Sequence, residues 1–364
     1  MKNISKMLIA SSGLLLLAFF YQGFWASGFL NAGIYLLGSL GSIVALGFFE
    51  SRIKQHVFTL CLLGAVVLGM FYPHYFVKVG NFKFSALIVP LIQLIMFTMG
   101  TEMSVKDFEG VLKMPKAVII GLISHFTIMP LVAVSLATIF GFPSEIAAGI
   151  ILIGSVPSGV TSNVLAFLAK ADVPLSITIG TISTLMAPIM TPLLMKLLAG
   201  KYVEVDFLKM MLHVGEMIIL PIILGLLLNI FLKSKLQILK KIMPIISMVG
   251  VFMMLVVIVS SGRNALLQIG PLLFLTSMIH HSIGYLLGYW SGRFAGLSEQ
   301  TCRTISLEVG LQNGGLASGI ALQMGKIATV GLASAISVPW MTISGSLLAN
   351  WWRNRPTDSI TKTS

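Results

Sequence analysis

Charge is what this chain has least of. Of its 364 residues only 10% are Asp, Glu, Lys or Arg, against about 25% in an ordinary soluble domain. There are two cysteines, Cys61 and Cys302, both in or beside apolar runs. Two isolated thiols build neither a disulfide framework nor a metal quartet. The sequence holds no H-E-x-x-H and no G-x-S-x-G, which removes the helical zinc site and the nucleophile elbow. The connections between apolar runs are short. They leave no room for a soluble signalling domain, and a receptor or sensor would need one.

Apolar residues, by contrast, make up 56% of the chain, and mean hydropathy is +0.96. Water cannot cover that much apolar surface, whereas a bilayer removes the need. A helix needs about 20 apolar residues to cross about 30 Å of hydrocarbon. Twelve segments meet or approach this length: 7–25, 28–49, 57–76, 84–103, 114–140, 145–169, 172–198, 205–230, 242–261, 265–294, 299–322 and 328–351. Lys2 and Lys6 ahead of the run 7–20 resemble the start of a signal peptide. No small-x-small cleavage site follows, since Phe24, Trp25 and Ala26 fill that stretch, so a retained first span is expected.

The net charge of +12 comes from Lys and Arg in the connections. It reads as a topology signal rather than a nucleic-acid surface, because no basic stripe with interleaved aromatics exists. With the N-terminus inside, 17 of the 24 basic residues fall on cytoplasmic connections and 6 on external ones, with Lys209 inside a span. Both termini, including the polar tail 353–364, are therefore expected in the cytoplasm of a cell that carries this protein in its plasma or inner membrane.

Two spans are interrupted. The first, 145–169, is broken at Gly154-Ser155-Val156-Pro157-Ser158-Gly159 and continues through Thr161, Ser162 and Asn163. The second, 299–322, is broken around Glu308, Gly310, Gln312, Asn313, Gly314 and Gly315. A span with a central proline follows each. Asn163 and Pro188 are 25 residues apart, and Asn313 and Pro339 are 26 apart. With the hairpin 1–50 set aside, ten spans divide into two fives, 57–198 and 205–351, and the broken span is fourth in each. An odd number of spans per copy inverts the second copy. Paired interrupted spans in an inverted repeat point to a transporter's binding site.

Breaking a helix in hydrocarbon frees carbonyls and amides, which is tolerated where the break lines a cavity. Freed carbonyls suit a cation, and Ser162, Asn163, Ser176, Glu308 and Gln312 add the oxygen atoms that hard cations prefer. Glu308, nine residues into its span, is a carboxylate at membrane depth, a position that is usually functional; a structural ion pair is the alternative. Asn163 and Gln312 read first as site residues, with interhelical hydrogen-bond glue as the alternative. Gly310, Gly314, Gly315 and Gly319 also suit close packing. His280 and His281 read as packed core histidines. His213 and Glu216, at i and i+3, read as a local pair or a relay.

These motifs resemble the bile acid:sodium symporter family over residues 57–351. Pro157-Ser158-Gly159-Val160-Thr161-Ser162-Asn163-Val164, continued by Leu168-Ala169 and Leu175-Ser176, is similar to the family's P-G-G-x-x-S-N-V with its L-A and A-L-S continuation. Glu308-Val309-Gly310-Leu311-Gln312-Asn313-Gly314-Gly315-Leu316-Ala317 is similar to its E-V-G-x-Q-N-x-x-L-A. The resemblance implies an all-α polytopic membrane protein, with a ten-helix core of two inverted five-helix repeats and two broken crossing helices. The N-terminal transmembrane hairpin is extra to that plan. It implies a panel domain, 57–103 and 205–261, and a core domain, 114–198 and 265–351. It also implies two sodium sites and no organic cofactor. Carried over, Ser162, Asn163, Ser176 and Glu308 form one site. Glu308, Gln312 and the carbonyls of Val309 and Leu311 form the other, with His125 at the position of a further ligand. Val160, Thr161, Asn313 and Thr342 fall at the substrate.

Three departures bear on that implication. Gly180 stands where the first site has a Thr, with Thr178 and Thr181 nearby. His125 stands where the second has a Gln, and a ring nitrogen is a poorer sodium ligand that titrates near neutral pH. Val160 replaces a Thr, and Trp340-Met341-Thr342-Ile343-Ser344-Gly345 replaces W-H-N-I-S-G, so the pocket is less polar on two walls. Sodium-coupled symport of a small organic anion is expected. A proton-coupled transporter or exchanger is the alternative, and a membrane enzyme using Glu308 with His280 or His281 a remote one.

Overall fold

The structure, a computed structural model, describes residues 2–23, 29–54, 56–103, 113–232 and 237–357. Fourteen helices of eight residues or more account for these segments. They are α1 (Lys2–Tyr21), α2 (Phe29–Leu46), α3 (Val57–Phe71), α4 (Ile88–Glu102), α5 (Pro115–Ile139), α6 (Ser144–Ser155), α7 (Thr161–Leu168), α8 (Val173–Leu194), α9 (Phe207–Leu232), α10 (Gln237–Ser261), α11 (Arg263–Phe294), α12 (Glu299–Gly310), α13 (Gly314–Gln323) and α14 (Leu332–Arg353). Strands are confined, among the described residues, to a hairpin pairing Lys78–Val79 with Phe82–Lys83. Among the described residues, seven helices are long and apolar enough to cross a membrane. Two expected spans are each split into a pair of short helices, α6 with α7 and α12 with α13. The molecule is thus an all-α polytopic membrane protein. Residues 358–364 of the expected tail lie outside the described residues.

Local chemistry sets the ends of the split helices. Gly141 and Gly296 adopt φ of +61° and +70°, a left-handed conformation that glycine takes without penalty and that stops the preceding helices α5 and α11. Three residues later α6 and α12 begin, each with a glutamate in its first turn, Glu145 and Glu299, where the helix dipole favours negative charge. Ser298 Oγ caps α12 by accepting from Thr301 N at 3.2 Å, and Asp172 caps α8 by accepting from Leu175 N at 3.1 Å. Two residues past the ends of α7 and α13, Lys170 and Gly325 again take positive φ.

Helices α3, α4, α9 and α10 pack on one another. Gly100 and Gly225 set the crossing of α4 and α9: a Cβ on either would lie 2.3 Å from a carbonyl of the other helix, Ile222 O or Phe97 O. Close approach of small residues is how helices associate without a hydrophobic drive. Polar contacts add Thr98 Oγ1 to Ser247 Oγ at 2.6 Å and Asn229 Nδ2 donating to Met103 O at 2.8 Å. Helices α5 to α8 and α11 to α14 form a second group. Helices α1 and α2 run antiparallel, joined by Ser12–Ser39 and Ser11–Ser42 contacts at 2.9 and 3.2 Å, and α2 leans on α3.

Candidate functional site

The two breaks meet. Ser158 and Gln312 pair as an antiparallel bridge, with Gly159 N donating to Leu311 O at 3.1 Å and Asn313 N to Pro157 O at 2.8 Å. Each break thereby satisfies part of the backbone that the other has freed, as a low-dielectric setting demands.

The remaining freed carbonyls of the second break can be followed one by one. Val309 O accepts from Gln312 Nε2 at 2.8 Å. Gly310 O faces His281 Nδ1 at 2.8 Å, and Glu308 O faces His125 Nδ1 at 2.9 Å. The other nitrogen of His125 lies 2.9 Å from Val156 O in the first break. His125 is fully buried on α5, and its ring bridges the two breaks with both nitrogens engaged by backbone oxygens. His280 Nε2 lies 2.9 Å from Met129 O. The expectation that His280 and His281 are core histidines agrees with these contacts. Glu216 is exposed, and no ion pair joins it to His213 among the described residues.

Glu308 is fully buried in the last turn of α12. Its Oε1 accepts from Ser176 Oγ, which also lies 2.8 Å from Asn163 Oδ1. Three oxygens from α7, α8 and α12 therefore converge around one hydroxyl proton. Ser162, on the same half-helix as Asn163, faces the carboxylate as well. The other oxygen, Oε2, has no hydrogen bond of ordinary geometry among the described residues and faces Gly180, where an added Cβ would sit 3.6 Å away. Thr178, meanwhile, donates to Pro174 O at 2.9 Å. The sequence-predicted cluster Ser162, Asn163, Ser176 and Glu308 is thus brought together in space.

Of the four residues expected at the substrate, Val160, Thr161 and Asn313 flank the two breaks, and Thr342 lies on a helix that touches the second. Val160 and Thr161, half-buried, open α7. Asn313, 8% exposed, caps α13 through Oδ1, which accepts from Leu316 N at 3.0 Å. Thr342 donates to Val338 O at 2.8 Å on α14, the helix whose Met341 Sδ lies 3.4 Å from Gln312 N.

A charged cluster that the sequence did not point to closes one end of this group. Arg303, one of the 17 basic residues expected on cytoplasmic connections, is 1% exposed inside α12. Its Nε donates to Glu299 Oε1 at 2.9 Å, Nη1 to Ala169 O at 3.1 Å and Trp352 O at 3.2 Å, and Nη2 to Pro356 O at 2.8 Å. At the start of α6, Glu145 is bonded to Lys326 and to Thr329 Oγ1. The start of each broken helix is thereby tied to the end of the other.

The Sodium Bile acid symporter family model matches residues 89–269. The chain is 35% identical over 306 residues to the uncharacterized sodium-dependent transporter YocS of Bacillus subtilis, covering 84% of this chain and 93% of that protein. It is 30% identical over 339 residues to the probable chloroplastic sodium/metabolite cotransporter BASS1 of Oryza sativa, covering 91% and 79%. The chain belongs to the sodium bile acid symporter family. It is a multi-pass membrane transporter, not an enzyme, since the relatives are transporters. The probable chloroplastic sodium/metabolite cotransporter BASS3 of Arabidopsis thaliana is similar too, at 34% over 292 residues, covering 79% of this chain and 66% of that protein. The family model ends before Glu308, so that half of the site rests on its motif and geometry.

Proposed function

We propose that the chain is a sodium-coupled symporter of a small organic anion, with the crossing of the two breaks as its working centre. One observation carries this reading: a fully buried carboxylate, Glu308, shares the Ser176 hydroxyl with Asn163 where two interrupted helices meet. An oxygen-only set with one negative charge suits a hard monovalent cation, and that charge offsets the cost of dehydrating the ion. Ser162, Asn163, Ser176 and Glu308 form the first sodium position. The second uses Glu308, Gln312 and the outer lone pairs of the Val309 and Leu311 carbonyls, with His125 bracing the breaks behind it. Val160, Thr161, Asn313 and Thr342 face the substrate. The names of relatives, a sodium-dependent transporter and a sodium/metabolite cotransporter, support the coupling ion and a small metabolite as cargo.

The remaining organisation follows the same reading. Helices α3, α4, α9 and α10 are the panel, and α5 to α8 with α11 to α14 the core, in line with their packing. The two fives are inverted copies. Support comes from the equal 12-residue lengths of α6 and α12, the matching positive-φ residues around them and the start-to-end ties at Glu145 and Arg303. The protein sits in the cell membrane with both termini cytoplasmic. Uptake of labelled organic acids into proteoliposomes, under separate sodium and proton gradients, tests the coupling: only the sodium gradient should drive accumulation.

A further inference from the structure

Among the described residues, three buried side-chain oxygens at the crossing have no hydrogen bond of ordinary geometry: Glu308 Oε2, Gln312 Oε1 and Ser158 Oγ. They belong to one place. Ser158 and Gln312 are opposite residues of the antiparallel bridge, and directly opposed residues project side by side on one face. The Ser158 side chain lies against the Glu308 carboxylate. From α8, Gly180 faces Oε2, and it brings no side chain. Oxygens left without a partner in such a setting are costly.

The neighbouring N–H groups are committed elsewhere. Gln312 directs its Nε2 to Val309 O at 2.8 Å. Gly159 N donates to Leu311 O at 3.1 Å. His125 has both nitrogens on Glu308 O and Val156 O at 2.9 Å, so it offers no free ligand atom. The Ser158 hydroxyl, the one donor of the three, turns toward the Glu308 carboxylate and keeps its lone pairs; with an amide oxygen and a carboxylate oxygen it forms the ligand chemistry of a hard cation.

We propose that Ser158 is a ligand of the second sodium position, supplying, with Glu308 and Gln312, the oxygen that His125 does not. The proposal rests on the sodium-coupled reading above. It assigns Ser158 to ion binding and His125 to positioning, and it makes the hydroxyl at 158 a determinant of ion number.

Equilibrium binding of radioactive sodium to the purified full chain tests it. Wild type should bind two ions per chain. Ser158→Ala should bind one of them about tenfold more weakly, since ligand number tunes ion affinity. Ser158→Thr, which keeps the hydroxyl, should stay close to wild type. Adding His125→Gln to Ser158→Ala brings an amide oxygen to the same position and should recover the second ion. Thermal unfolding of each variant checks that it is folded. Ser158→Ala binding two ions with wild-type affinity would overturn the assignment and leave the sodium reading standing. Wild type binding no sodium would overturn both.

Discussion

At the scale of single residues, Glu308 is the position on which the rest depends. Glu308→Gln keeps the shape and one oxygen but removes the charge, so sodium activation of transport should be lost while folded protein is still obtained. Asn313 has two jobs, as the cap of α13 and as an expected substrate contact. Removing such a cap costs about 1 kcal/mol. Asn313→Ala should therefore lower the unfolding midpoint slightly and raise the apparent substrate KM strongly, whereas Thr342→Ala should change KM alone. If transport kinetics are unchanged in both, the substrate binds elsewhere. Glu308 was legible in the sequence because an acid inside an apolar run is the exception. Ser158 was not, because a serine in a span is ordinary until both its bridge partner and its unsatisfied oxygen are seen. The role of His125 was legible only in part. Its position among the site residues followed from the resemblance, but that both nitrogens would turn to two different breaks depends on tertiary geometry.

At the scale of helices, apolar length located nearly every element, since hydrocarbon thickness is a physical ruler. The breaks at Pro157 and at Gly310 to Gly315 followed from the residues that cannot continue a hydrogen-bond ladder. Arg303 escaped this logic: it lies at the polar start of α12, and its carbonyl partners on Ala169, Trp352 and Pro356 are remote in sequence. Removing one partner of a buried ion pair costs about 3–5 kcal/mol. Arg303→Ala should accordingly lower thermal stability markedly in detergent. Glu299→Gln, which leaves the three carbonyl bonds in place, should cost less. Equal losses would show that the carbonyl contacts contribute little. At the other crossing, Gly225→Leu would drive a side chain into Phe97 O, and folded yield is expected to fall sharply.

At the scale of the whole molecule, the proposed topology predicts cytoplasmic readings for reporter fusions after residues 110, 237 and 358, and external readings near 80 and 202. An external C-terminus would break the inverted-repeat frame of the second half. The most direct measurement is transport rate against sodium concentration in proteoliposomes, for wild type and Glu308→Gln at matched protein content. Sodium coupling through this carboxylate predicts a saturable activation by sodium in wild type and a flat, low rate in Glu308→Gln. Undiminished sodium activation in Glu308→Gln would contradict it.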